Sequence, residues 1–348
     1  MQRRNFQPKP ILTYSIIVIN LVIFLIAEGL GASRDIFVLL DLGVKYNPLI
    51  ISGEYWRFIT PIFLHFGLMH IGMNTFSLFM VGPAVESIFG RWRFAVIYFG
   101  SGMVGVFASF VFVDTLSAGA SGAIFGLVGA LLFIAFKQRE FGVRIHTQQI
   151  VLIVLLNLVI GFTASGIDNA AHIGGMVGGF LFAMAVSIRH YHYLSRQVVG
   201  AFLVIIVSVS LLMKGFSQPL TEREIELSVG YAMEQAEKGD YEKAERYLEP
   251  LMNIDDPLAL MAIGRVKLGQ KQYREAESYL EQAVVNKGNQ LNKERLSLAF
   301  SWLADAYWLT GQADQTIEAV EEAIALNPNE EGYKKQLDFY QEAKKEKK

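Results

Sequence analysis

The chain of 348 residues contains no cysteine, which excludes disulfide bonds and thiolate metal sites and gives no information on the redox compartment. Charged side chains are scarce in its first part. Residues 1–214 hold 14 Lys and Arg and 8 Asp and Glu, whereas residues 215–348 hold 17 and 25. Neither part has the clustered basic stripe of a nucleic-acid-binding surface, so no nucleic-acid partner is expected. The asymmetry predicts two dissimilar parts, the second of them acidic.

The first part consists largely of apolar sequence. Several of its apolar stretches exceed the 10–14 residues typical of a buried helix in a soluble protein, so a polytopic membrane protein is predicted, with the lipid bilayer as partner. The first stretch is longer than the apolar core of a signal peptide, and we expect it to be an uncleaved span. The seven predicted spans are Ile11–Ala27, Phe58–Val85, Phe94–Val113, Thr115–Phe136, Ile150–Gly166, Asn169–Ile188 and Val198–Met213.

The loops between these spans differ in positive charge, which predicts their orientation in a cell membrane. One side has only Arg34, Lys45 and Arg57. We therefore expect the N-terminus to be cytoplasmic and, after seven spans, the acidic second part to be extracytoplasmic. The other side holds ten basic residues: Arg3, Arg4, Lys9, Arg91, Arg93, Lys137, Arg139, Arg144, Arg189 and Arg196.

The loop between the first two spans, residues 31–57, is long and amphipathic. Its apolar residues fit a segment lying in the headgroup region with that face toward the lipid. An ordinary loop covered by protein fits the same pattern equally well. The apolar residues concerned are Ile36, Phe37, Val38, Leu39, Leu40 and Leu42.

The second part contains an internal repeat. The ten residues 239–248 recur at 271–280 and, more weakly, at 311–320, which gives spacings of 32 and 40 residues. This pattern resembles tetratricopeptide repeats, whose period is 34. About three helix pairs would form an α-solenoid with a concave face for a protein or peptide partner, although a purely structural repeat is the alternative. Residues 344–348 are predicted to be a solvated tail.

Polar residues inside the predicted spans are costly to bury in lipid and therefore indicate function. His70 and Asn74 are four residues apart and share one helical face, whereas His65 is expected to point well away from His70. Ser121 begins a Gly and Ala stripe in the fourth span, and His172 precedes another in the sixth. Small residues at this spacing let helices approach closely, which would bring the hydroxyl of Ser121 near the imidazole of His172.

Each of these residues also has a simpler interpretation when taken alone. A serine among glycines is commonly a packing residue, and an intramembrane histidine can be a proton relay or line a pore. The spacing of His65 and His70 is not that of a zinc-binding helix, so no metal site is expected. A transporter would show inverted repeats or buried ion pairs, and the sequence has neither.

Four motifs in register resemble the rhomboid family of intramembrane serine proteases. They are His65-x4-His70-x3-Asn74, Gly119-x-Ser121-Gly122, Ala171-His172-x2-Gly175-x3-Gly179 and, before the second span, Trp56-Arg57. Glu86, in the expected loop after that span, also matches. A seventh span followed by tetratricopeptide repeats resembles the GluP-type rhomboids of Gram-positive bacteria. The implied domains are a six-span protease core at 1–190, a seventh span and linker at 191–220, and a repeat domain at 221–348.

The resemblance implies a serine endopeptidase that needs no cofactor. Ser121 would be the nucleophile and His172 the general base, with His70, Asn74 and the Ser121 amide stabilising the oxyanion. Its substrates would be transmembrane proteins with a small residue before the cleaved bond, and the site would open toward the outside. A catalytically silent relative that holds membrane clients is the alternative. The residues expected in structural support are His65, Trp56, Arg57, Glu86, Gly119, Gly122, Gly175 and Gly179.

Overall fold

The computed structural model describes residues 9–137, 167–186, 194–286 and 291–346. The predicted fifth span, Ile150–Gly166, lies outside the described residues. In the described part all regular structure is helical, apart from one antiparallel bridge between Lys45 and Ser117. The all-α fold expected from the sequence is confirmed. The chain forms two compact units, Met1–Pro219 and Leu220–Lys348.

The first unit contains eight described α-helices. Four of them are long and apolar enough to cross a membrane: Ile11–Gly29, Gly67–Phe89, Arg91–Phe112 and Leu194–Ser217. Ser121–Phe136 and Asn169–Ala185 are shorter apolar helices. These helices agree with a multi-pass membrane protein. The eight helices are α1 (Ile11–Gly29), α2 (Ile36–Leu42), α3 (Asn47–Ile51), α4 (Gly67–Phe89), α5 (Arg91–Phe112), α6 (Ser121–Phe136), α7 (Asn169–Ala185) and α8 (Leu194–Ser217).

Two predicted spans begin later than expected. The second was predicted from Phe58, but α4 begins at Gly67 after two 3₁₀ turns, Tyr55–Phe58 and Thr60–Ile62. Pro61 in this stretch lacks an N–H and disfavours α-helix at the residue before it. The fourth was predicted from Thr115, but α6 begins at Ser121. The residues before it are not helical, and Ser117 among them pairs with the backbone of Lys45.

Glu86 was expected in a loop and instead lies in the last turns of α4, where it is buried. Its carboxylate accepts hydrogen bonds from the backbone N–H groups of Leu12 and Thr13, at 3.0 and 2.8 Å, and from the Thr13 hydroxyl at 2.7 Å. The residue before α1 is Pro10, which provides no side-chain cap. Glu86 therefore satisfies the first free N–H groups of α1 and places a negative charge at its positive end.

The loop between α1 and α4 is folded against the protein. The apolar face of α2 is buried through Phe37, Leu39 and Leu40, as the covered-loop alternative describes. Arg57 is fully buried and donates to the carbonyl oxygens of Val44 and Leu40, each at 2.8 Å. The guanidinium thereby links the 3₁₀ turn before α4 to the backbone of this loop.

The second unit consists of helix pairs at the predicted repeats. Side-chain caps begin several of its helices, including a capping box in which Thr221 and Glu224 bond each other's backbone N–H. The tail predicted from residue 344 is helical through residue 346, and Lys344 forms an ion pair with Asp314 at 2.5 Å. The helices are α9 (Glu222–Glu237), α10 (Tyr241–Leu248), α11 (Pro257–Gly269), α12 (Tyr273–Glu281), α13 (Lys293–Leu309), α14 (Ala313–Leu326) and α15 (Glu331–Glu346).

Candidate active site

Ser121 and His172 meet at the starts of two helices. Ser121 is the first residue of α6, and His172 lies in the first turn of α7. The Ser121 Oγ is 2.9 Å from the His172 Nε2, which is hydrogen-bonding distance. The imidazole also stacks on the ring of Phe125, with centroids 4.3 Å apart and an angle of 11°. Phe125 therefore fixes the plane of the imidazole against α6.

The other nitrogen of this imidazole, Nδ1, is buried and has no hydrogen-bond partner within the described part of the chain. A Ser-His-Asp triad would place a carboxylate there. In the described part of the chain, the ring is held by its hydrogen bond to Ser121 and by its stacking on Phe125.

Glycines allow α6 and α7 to come together at this point. A Cβ atom on Gly175 would clash with the carbonyl oxygen of Gly122, and one on Gly179 would clash with that of Gly126. On the other side of α7, a Cβ on Gly105 of α5 would lie 2.7 Å from the carbonyl oxygen of Ala171. The helix carrying His172 is thus packed backbone to backbone between its two neighbours, as small residues permit.

Side-chain nitrogen atoms of α4 lie close to Gly119, two residues before α6 begins. Gly119 has a φ of +130°, and a Cβ there would lie 2.7 Å from His70 Nε2 and 3.7 Å from Asn74 Nδ2. Only glycine fits this backbone conformation and this close approach. The N–H of Ser121 begins α6 and so has no acceptor within the helix. The His70 imidazole and the Asn74 amide therefore lie beside Gly119, two residues before Ser121.

His65 was expected to point away from His70, and this was wrong. Their ring centroids are 5.2 Å apart, because His65 precedes α4 and does not follow helical spacing. Its Nε2 accepts a hydrogen bond from the N–H of Ala120 at 3.4 Å, and its Nδ1 lies 3.2 Å from the carbonyl of Phe63. His65 thus contacts the segment before Ser121.

Three polar residues near the site were not identified from the sequence. Asp168 caps α7, with Oδ1 accepting from the N–H of Ala171 at 2.8 Å. Its Oδ2 accepts from the Ser117 hydroxyl at 2.7 Å and also from the Ser109 hydroxyl. An aspartate three residues before Ala171 is a recognisable N-cap signal. The two serines gave no such signal, because their positions depend on tertiary packing.

The remaining predicted residues lie away from the Ser121 hydroxyl. Trp56 is 51% exposed, Arg57 is in the folded loop, and Glu86 caps α1. No group of three His, Cys, Asp or Glu side chains suited to a metal ion occurs among the residues that the structure describes.

Comparisons with known proteins identify the two units. A Rhomboid domain model matches residues 52–189, and a Tetratricopeptide repeat model matches residues 299–330. The protein named "Rhomboid protease GluP" from Bacillus subtilis (strain 168) is 39% identical over 280 residues. That alignment covers 79% of this chain and 54% of the relative, so the chain spans about half of the relative's length.

Two further relatives match shorter parts of the chain. The "Putative rhomboid protease YdcA" of Bacillus subtilis (strain 168) is 39% identical over 145 residues, covering 41% of this chain and 73% of that protein. "RHOMBOID-like protein 5" of Arabidopsis thaliana is 34% identical over 178 residues, covering 49% of this chain and 57% of that protein. The chain therefore belongs to the rhomboid family.

Proposed function

We propose that this protein is an intramembrane serine protease that cleaves transmembrane segments of other membrane proteins. The observation that carries the proposal is the 2.9 Å contact between Ser121 Oγ and His172 Nε2, within a unit of apolar helices. A hydroxyl beside an imidazole is the minimal arrangement for nucleophilic catalysis of acyl transfer. Relatives that are named as rhomboid proteases support the same activity.

The reaction follows from the positions of these groups. His172 Nε2 takes the proton of Ser121 as its Oγ attacks the carbonyl carbon of the substrate peptide bond. His70, Asn74 and the Ser121 N–H stabilise the negative charge on the carbonyl oxygen. The imidazolium gives its proton to the leaving amine, which leaves an acyl-enzyme. Water then attacks this ester with His172 again as base, releasing the second product and restoring Ser121.

The bilayer restricts which substrates this site can use. A peptide bond inside a helix has its carbonyl hydrogen-bonded and shielded, so a substrate must unwind locally to be cut. Transmembrane segments with glycine or other weak helix formers near the cleaved bond meet this requirement. The distribution of Lys and Arg in the sequence favours a site that opens to the outside, with the second unit also extracytoplasmic.

The second unit supports a recruiting role. Helices α11, α13 and α15 line a cavity of about 490 Å³ in which the guanidinium of Arg265 lies 5.8 Å from the Trp302 ring centroid. An apolar cavity with a few polar groups is typical of a binding site. We assign to it a protein or peptide partner that brings substrates to the protease. The lining residues are Arg265, Leu268, Trp302, Asp305, Trp308, Leu309, Phe339 and Tyr340.

A client-holding adaptor without catalysis is the competing function. An adaptor needs no contact between a hydroxyl and an imidazole. It also needs no glycine at position 119 to leave room for the His70 side chain. Both features are present here. They favour the protease.

Cleavage of a model transmembrane substrate by the detergent-purified full chain tests the proposal. The parent should cut the substrate, and Ser121→Ala should not. Ser87→Ala is the matched control, because the Ser87 hydroxyl bonds the carbonyl of Ala84 within its own helix, and this variant should cut at the parental rate. Client binding by the parent without cleavage under any condition that preserves the fold would establish the adaptor instead. Recruitment is tested separately by Arg265→Gln, which should weaken cleavage of a natural client and spare the model substrate.

A further inference from the structure

We propose that Asp168 is a positioning residue that sets the register of His172 against Ser121 by bonding to Ser117. The inference rests on the proposed function for its catalytic consequence, although its structural part can be tested without proteolysis. Asp168 is four residues before His172, and Ser117 is four residues before Ser121. The two chain segments are thus joined at both ends, by Ser117 Oγ to Asp168 Oδ2 at 2.7 Å and by Ser121 Oγ to His172 Nε2 at 2.9 Å.

On the α7 side, the connection from Asp168 to His172 is a single fixed turn. The His172 N–H donates to the carbonyl of Asp168 at 3.2 Å, and the Ala171 N–H donates to its Oδ1 at 2.8 Å. The backbone N–H groups of Ala171 and His172 are therefore both bonded to Asp168. A displacement of the carboxylate would move the imidazole with it.

On the α6 side, the connection from Ser117 to Ser121 is held at each step by neighbouring segments. Ser117 exchanges two backbone hydrogen bonds with Lys45, at 2.9 and 3.1 Å. The N–H of Gly119 donates to the carbonyl of Pro61 at 2.8 Å, and that of Ala120 donates to His65 Nε2. The bond between Ser117 and Asp168 therefore ties the segment that is bonded to Lys45, Pro61 and His65 to the first turn of α7, and it constrains the distance between Ser121 Oγ and His172 Nε2.

Helix capping and cross-linking by Asp168 use different oxygens, so the two roles can be separated. Oδ1 caps α7, whereas Oδ2 bonds Ser117 and Ser109. Asp168→Ser keeps a capping hydroxyl, because serine is a good N-cap residue, but it is too short to reach Ser117. Ser117→Ala removes the cross-link and leaves the cap. Ser109→Ala is the matched control, because it removes only the bond from Asp168 to α5.

The absence of cysteine makes a direct measurement of register available. In the full chain carrying Ser121→Cys, the single thiol lies beside His172, which promotes its thiolate and its alkylation by iodoacetamide. Adding Ser117→Ala or Asp168→Ser should slow alkylation about tenfold, because misplacing a reacting group by even 1 Å lowers its rate. The rate should then approach that of the Ser121→Cys chain that also carries His172→Ala. Ser109→Ala should leave the rate unchanged.

Kinetics in the Ser121 background give the second readout. Ser117→Ala and Asp168→Ser should lower kcat with KM unchanged, and the double variant should be no slower than Asp168→Ser alone, because both remove one link. Parental alkylation and kcat in both single variants, with only a lower Tm, would reduce Asp168 to a helix cap and overturn the inference. If the protein with Ser121 cleaves no substrate but the added variants still slow alkylation of Ser121→Cys, the positioning role is supported. That result would contradict only the proposed protease activity.

Discussion

Gly175 lies so close to the carbonyl oxygen of Gly122 that a Cβ atom on Gly175 would overlap the backbone of α6. This contact joins the residue directly after Ser121 to the residue three positions after His172. The separation of α6 and α7 at this point therefore determines whether Ser121 Oγ and His172 Nε2 can meet.

Gly179→Ala should destabilise the first unit and reduce activity, because the new methyl group meets the Gly126 carbonyl and forces the helices apart. Overpacking of this kind costs about 1–3 kcal/mol. Gly72→Ala is the matched control in an apolar helix, since nothing lies within 4 Å of its Cβ position. Thermal unfolding in detergent should show a lower Tm for Gly179→Ala alone. Equal Tm values for the two variants would contradict the close packing.

Glu86→Ala should destabilise the fold without altering the chemistry at Ser121. The substitution leaves the N–H groups of Leu12 and Thr13 without an acceptor, and losing hydrogen bonds to a buried carboxylate costs about 2–3 kcal/mol. The measurement is Tm, together with the fluorophosphonate labelling rate of the folded protein at low temperature. A parental Tm with lost labelling would instead give Glu86 a part in catalysis.

Asn74→Ala should lower kcat roughly 100- to 1000-fold, because it removes one donor to the developing oxyanion. Substrate binding in the ground state does not depend on this donor, so KM should change little. Steady-state cleavage of a model transmembrane substrate measures both constants. A kcat within a factor of about two of the parental value would remove Asn74 from the oxyanion site.

Asp305→Asn should stabilise the second unit at neutral pH. Burial raises the pKa of the Asp305 carboxyl above its usual value, although hydrogen bonds from Tyr340 and Gln336 and the charge of Arg265 oppose the rise. The folded state thus holds the proton more tightly than the unfolded state, so the stability of the parent falls as pH rises through the interval between the two pKa values. Asparagine keeps the Oδ1 acceptor that Tyr340 and Gln336 use.

The pH dependence of Tm checks this prediction. The variant should melt higher than the parent at about pH 7, and the difference should shrink as the pH is lowered and the parental carboxyl becomes protonated. A variant that melts lower at neutral pH would show that attraction between Asp305 and Arg265 outweighs the cost of burying the charge.

Local patterns predicted much of this arrangement. Apolar runs gave the spans, the repeat period gave the solenoid, and the glycine spacing beside Ser121 and His172 predicted two closely packed helices. The fold class followed from these patterns, whereas the resemblance to the rhomboid family rested on the four motifs that contain Arg57, His70, Ser121 and His172. The catalytic roles of individual residues stay predictions until activity is measured.

The features that the sequence did not predict depend on contacts between distant segments. Helical spacing misplaced His65, because α4 begins at Gly67 and His65 lies in the irregular segment before it. The sequence predicted a loop position for Glu86 and did not reveal its hydrogen-bond partners, Leu12 and Thr13, because they are more than seventy positions away. The bond between Ser117 and Asp168 likewise spans 51 positions. No periodicity in a single sequence encodes such pairs.

Fluorophosphonate labelling followed by peptide mass spectrometry measures directly whether His172 activates Ser121. In the parent, the adduct should map to Ser121, and His172→Ala should abolish it while the folded protein remains intact by thermal unfolding. Labelling of a different serine, or undiminished labelling of Ser121 in folded His172→Ala, would contradict the account.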